Sequence, residues 1–168
     1  MPATFAALAR PALRQRGVAA VEFAAVVFVL LLIGAGLVEF GRALWYYDAL
    51  AKGTRDAARY LSTVPAASLA SESASGPTPS KNFVVNAAAA ALVPGFTAAN
   101  VSVACAPTAC AAVTLPGNVT EVTVSATFPM TLGALFPFIS AASGSIDAPR
   151  AIAYAVTLAP HTTMPYLW

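Results

Sequence analysis

The chain has a single histidine, His161, and two cysteines, Cys105 and Cys110. One His excludes a His-rich metal site and leaves no companion base for a Ser or Cys nucleophile. Charge is scarce as well. Nine Lys and Arg and seven Asp and Glu make up 10% of 168 residues, against about 25% in an ordinary soluble domain. The seven carboxylates are scattered, with no HExxH, no Gly-rich phosphate loop and no paired acids in a plausible cleft. These absences argue against an enzyme, a cofactor and a metal centre. The formal net charge of +2 is carried by the start of the chain, since Arg10, Arg14 and Arg16 precede Gly17. Without them the acidic residues outnumber the basic ones by one, and no basic patch for nucleic acid is left. Proline is absent between Pro11 and Pro65. Nothing in that interval breaks a helix.

What the chain does have is an apolar run. Val18 to Val38 contains one charge, Glu22. As a helix it covers roughly 31 Å, enough for a bilayer core. A carboxylate there costs about 2.5–3.5 kcal/mol at mid-helix and less near the end. Selection for insertion alone would remove it, so Glu22 calls for a partner group that neutralises it. The three arginines before the run hold the N-terminus in the cytoplasm and put everything after Val38 outside. An ordinary secretory signal would have a shorter apolar stretch and no Glu at its head. An uncleaved single-pass anchor is the other plain reading.

Three stretches are collinear: Arg16-Gly17-Val18-Ala19-Ala20-Val21-Glu22-Phe23-Ala24, Leu37-Val38-Glu39-Phe40-Gly41-Arg42-Ala43, and Arg55-Asp56-Ala57-Ala58-Arg59-Tyr60. Together they resemble the TadE-like family, the minor pseudopilins of the tight-adherence (Flp) pilus system. The resemblance covers about 50 residues. It implies a prepilin-type leader over residues 1–17 and cleavage between Gly17 and Val18 by a prepilin peptidase. Glu22 would then be fifth in the mature chain and, with Phe23, would serve recognition and assembly. The leader would carry the basic cluster Arg10, Arg14 and Arg16. The implied setting is the bacterial inner membrane, with a periplasmic C-terminal part and possible passage to the cell surface in a pilus. The implied partners are the peptidase, other pilin and pseudopilin subunits, and inner-membrane lipid. The small residues Ala19, Ala20, Ala24 and Ala25 permit close helix packing. The rival reading is an uncleaved, membrane-tethered periplasmic binding module.

Downstream, the helical pattern runs on to about residue 62. Leu44, Tyr47, Leu50, Ala51, Thr54, Ala58 and Leu61 recur at helical spacing, and Asp48–Lys52 and Asp56–Arg59 are spaced as ion pairs. Residues 18–38 are read as the transmembrane segment and 39–64 as its projecting continuation. Trp45-Tyr46-Tyr47 fits either an interfacial aromatic belt or packing of the soluble part onto the helix. The Ser- and Pro-rich stretch 65–81 reads as a loop. A small extracytoplasmic domain follows over 82–168. Ser80 is the expected cap of a second helix over about 82–92.

After Gly95 the period becomes two. Strands are expected from Val101, from Val119 to Phe128 with Val122, Val124, Ala126 and Phe128 inward, and over 150–158 with Ile152, Tyr154 and Val156 inward. The expected fold class is α+β, a long N-terminal helix packed by a short helix and a small antiparallel sheet. Outside the membrane, Cys105 and Cys110 read as a disulfide, with free thiols the alternative, and would pin one strand to the next at Val113. The sequons at Asn100 and Asn118 read as turn residues. His161 reads as an exposed loop residue. The apolar stretch 128–139 and the C-terminal Met164 to Trp168 are either a second face of core or a subunit contact.

Overall fold

A computed structural model describes residues 15–113, 115–132 and 154–167. The chain divides into two units, Met1–Val38 and Glu39–Trp168. One helix, α1 (Gln15–Leu61), belongs to both. It is followed by α2 (Ala66–Glu72), α3 (Pro79–Ala90), β1 (Val101–Pro107), β2 (Val119–Ala126), β3 (Phe128–Leu132), β4 (Tyr154–Leu158) and β5 (His161–Pro165). The class is α+β, as the periodicities indicate. The Pro-free interval gives one unbroken helix over the described residues Gln15–Leu61.

In the first unit the described part is helix alone. Its large apolar residues, from Val18 through Phe23, Phe28 and Leu31 to Val38, are exposed. The small Ala35 is buried, but a helix with so much exposed apolar surface needs lipid or other helices around it.

In the second unit α1 buries Tyr46, Leu50, Gly53, Thr54, Ala57, Ala58 and Leu61. That stripe is rotated from the expected one. Leu50, Thr54, Ala58 and Leu61 are inward, whereas Leu44 and Tyr47 are exposed and Ala51 is half-buried. The small residues Gly53 and Ala57 take the inward places because α3 lies against them. Three contacts show that α3 runs antiparallel to this part of α1. Phe83 meets the Tyr60 ring at 5.6 Å, Val84 and Ala87 face Gly53, and the Trp45 indole Nε1 donates to the Ala91 carbonyl at 3.3 Å.

Two expectations for this region are corrected. The stretch 65–81 is not all loop, because α2 lies within it, held by the fully buried Leu69. One large apolar side chain among Ser and Ala leaves little period to read. The cap of α3 is Thr78, whose Oγ1 accepts from Lys81 N, and not Ser80. Ser80 is already inside the first turn, and its own backbone N donates to Glu72 Oε2 at 2.9 Å. The buried Glu72 thus places its carboxylate on the N-terminus of α3, where the helix dipole favours it. Beside it Lys81, also buried, donates from Nζ to the Ala74 carbonyl at 2.6 Å. Burial pushes its ammonium below the ordinary lysine range.

The strands form a three-stranded antiparallel sheet, order β1-β2-β5, and a β3–β4 pair. Val122, Val124, Ala126 and Phe128 face inward as the alternation requires. The expected single strand to Phe128 is split, however. Ala126 N donates to Pro160 O and Thr127 N to Asn100 O, after which the chain enters β3 and pairs with β4. The inward face is kept while the partner changes. In β4 the core position belongs to Leu158, and Val156, expected inward, is 39% exposed. Ile152 and the Tyr154 side chain lie outside the described residues. The edge strand β5 was not expected from a segment flanked by prolines, but an edge tolerates Pro165. His161 is exposed as expected, though on this strand rather than in a loop. Beside the strands, the Tyr166 hydroxyl donates to Val64 O at 2.6 Å, and burial raises its pKa.

Candidate functional site: the exposed apolar helix

Gly17, Val18, Glu22 and Phe23 all lie in the N-terminal part of α1. Arg16 is in the helix too, while Arg10 and Arg14 lie outside the described residues. Val18, Glu22 and Ala25 share one helical face by their spacing. Glu22 is exposed and, among the described residues, has no ion-pair partner. A Cβ added at Gly17 would meet nothing within 4 Å, so no packing among the described residues requires a glycine there.

The aromatic triplet serves two roles. Tyr46 is buried, edge-on to Phe128 with centroids 6.2 Å apart. Trp45 and Tyr47 are exposed. Asp48 and Lys52 close their ion pair at 2.6 Å, whereas Asp56 and Arg59 form none.

Cys105, in β1, and Cys110 are joined by a disulfide. The bond ties β1 to a short 3₁₀ turn at Cys110–Ala112, and the next strand starts only at Val119, not at Val113. Asn100 and Asn118 both occupy turns, and Asn100 Oδ1 accepts from Thr97 N at 2.9 Å. Of the stretch 128–139, residues after Leu132 lie outside the described ones; before that, Phe128 and Met130 are core.

One ion pair was not read from the sequence, although the stretch that holds it was noted. Glu39, only 7% exposed, pairs with Arg42 at 2.7 Å. Arg42 also donates to the Thr131 carbonyl at 3.2 Å, and its guanidinium carbon lies 6.0 Å from the Tyr46 ring centre. It links the first turn of the second unit to β3. The i,i+3 spacing in Glu39-Phe40-Gly41-Arg42 was the available signal. Its burial depends on β3, 89 residues away. Among the described residues no group of His, Cys, Asp and Glu could hold a metal ion.

These elements define a protein with one N-terminal helix long and apolar enough to cross a membrane, followed by a small α+β unit. Residues 17–59, which take in most of that helix, match the family model described as TadE-like protein. The match opens at Gly17 and spans all of the apolar run, the Glu39–Arg42 pair and the Gly53 crossing. No curated protein and no solved structure matches the chain.

Proposed function

We propose that this chain is a minor pseudopilin of a tight-adherence-type pilus, matured by a prepilin peptidase between Gly17 and Val18. The observation that carries the reading is the helix itself. Nearly all its large apolar side chains from Val18 to Val38 are exposed, its one charge there is the exposed Glu22, and the stretch lies wholly within the TadE-like match. The helix would sit in the inner membrane with the arginine-rich end cytoplasmic and the α+β unit periplasmic. It would join a bundle of pilin helices through lateral packing along Ala20 and Ala24. The protein acts by assembly and carries out no chemistry of its own. Its partners are the peptidase, lipid and other pilin subunits.

The test is mass analysis of the N-terminus of protein recovered from its native envelope. The expected chain starts at Val18, and Gly17→Phe leaves it uncut, since a bulky residue does not suit a tight scissile site. Recovery of an intact Gly17–Val18 bond in the assembled protein sinks the maturation step and favours the tethered binding module. A start near Leu37 identifies an ordinary signal-peptidase product.

A further inference from the structure

Helix α3 ends in a Schellman turn: Leu92 N donates to Ala89 O at 3.0 Å and Val93 N to Ala88 O at 2.9 Å. The left-handed position of this turn is usually glycine, but here it is Leu92, at φ 58°. A side chain with a β-carbon is disfavoured there. Core packing does not offset the strain, because Leu92 is 82% exposed. A large apolar residue thus occupies a glycine position and points away from the protein. Strain of this kind marks a place worth asking about function.

Its surroundings say what covers it. Trp45, 63% exposed, donates its indole N–H to Ala91, the residue before Leu92. The ring therefore has no polar demand left and presents apolar surface. Together with Ala49, Ala87 and Ala90 it borders a shallow groove of about 280 Å³. The rim charges Asp48 and Lys52 neutralise each other. Because α3 runs antiparallel to α1, this turn lies at the end of the second unit where the chain arrives from Val38. Trp45 is seven residues past Val38, so even a fully extended chain keeps it within about 25 Å of the end of the apolar run. Exposed apolar side chains continue from one to the other at Phe40 and Leu44.

We infer that Leu92 and Trp45 form a wedge that dips into the headgroup–acyl boundary of the bilayer and seats the α+β unit on the membrane surface. The occupant is lipid because Trp45 follows the apolar run by only seven residues, with the exposed Phe40 and Leu44 between them. A bilayer also needs no shape-matched counter-surface, and a single aliphatic tip on a turn beside a Trp suits an interface. The neutral rim makes the contact independent of anionic lipid. The inference rests on the helix spanning the membrane, as proposed above.

The test uses the full chain with Trp168→Phe, reconstituted in phosphatidylcholine vesicles. Trp45 is then the sole tryptophan. Bromine placed on the acyl chains near the headgroup quenches its emission more strongly than bromine near the bilayer centre. Leu92→Gly and Leu92→Asn both suit the left-handed turn, so each keeps or raises the thermal midpoint while shallow quenching falls by about twofold or more. Several outcomes overturn the inference. Trp45 quenched by aqueous iodide but not by bromolipid leaves the patch in water. A lowered midpoint in Leu92→Gly makes Leu92 a packing residue. Shielding of Trp45 that appears only when other pilin subunits are present assigns the patch to a protein. Flotation of the vesicles separates the two levels. A chain that floats after an alkaline wash with Trp45 unquenched removes the wedge alone, whereas a chain that does not float removes the membrane span as well.

Discussion

At Gly53, α1 and α3 pack backbone to backbone. A β-carbon there would lie 2.8 Å from Val84 Cα and 3.1 Å from Ala87 Cβ. The first is backbone and cannot swing aside, so α3 would have to move. Forced overpacking costs about 1–3 kcal/mol, and alanine returns about 1 kcal/mol of helix propensity. Gly53→Ala should therefore lower the denaturant midpoint of the protein in detergent by an amount equivalent to about 1 kcal/mol, and Gly53→Val by more. A raised midpoint in the alanine variant would mean that propensity decides and the crossing yields freely. The residue-scale reading of the sequence succeeded where burial follows period, at Leu50, Thr54, Ala58 and Leu61, and along β2 at Val122 and Val124. It failed at Leu44 and Tyr47, both exposed. Their spacing fits a helical stripe, but which stripe faces inward depends on where α3 docks. The same ignorance hid the buried partner of Arg42. Leu92 was equally hidden, because a left-handed turn filled by leucine leaves no glycine to mark it.

The elements were legible in proportion to their apolar period. The long helix and the strand over β2 have strong periods and no breaker. Helix α2 has one inward leucine, and β5 lies between Pro160 and Pro165, so both read as loop. The join between α2 and α3 rests on buried polar groups that no periodicity reports: Glu72 on the α3 N-terminus and Lys81 on the Ala74 carbonyl. Desolvation holds the Lys81 pKa below its unfolded value, which is about 10.4. Between those two values the unfolded chain binds more protons, so stability rises with pH across that window and is flat well below it. Tyr166 acts in the opposite sense. Its raised pKa means that, above about 10, the unfolded chain loses its proton first, and stability falls. Denaturant midpoints should climb as pH approaches 10 and decline beyond it. Lys81→Met should flatten the climb and leave the decline. A climb of equal slope in Lys81→Met would assign it to another group.

For the molecule as a whole, the central question is why an exposed carboxylate survives near the start of an apolar helix. Insertion alone selects against Glu22. Cleavage after Gly17 would create an ammonium group on Val18, and the prepilin resemblance implies that it is methylated. In a bundle of such helices shifted axially by one subunit, that ammonium would lie beside a neighbour's Glu22. Each charge is costly in lipid, and together they compensate one another. Pairing of this kind fixes register more than it adds stability, since an apolar pair would also pack. The competing account leaves Glu22 hydrated near the headgroups and read only by the peptidase. Glu22→Ala separates the two, because it removes a charge from the span without breaking an ion pair among the described residues. Membrane insertion should be unchanged or slightly improved. Leader cleavage should proceed, and co-purification with other pilin subunits should drop sharply. Lost cleavage with intact co-purification of the uncut form would assign Glu22 to the peptidase alone. Unchanged co-purification and pilus number after normal cleavage would refute the register role.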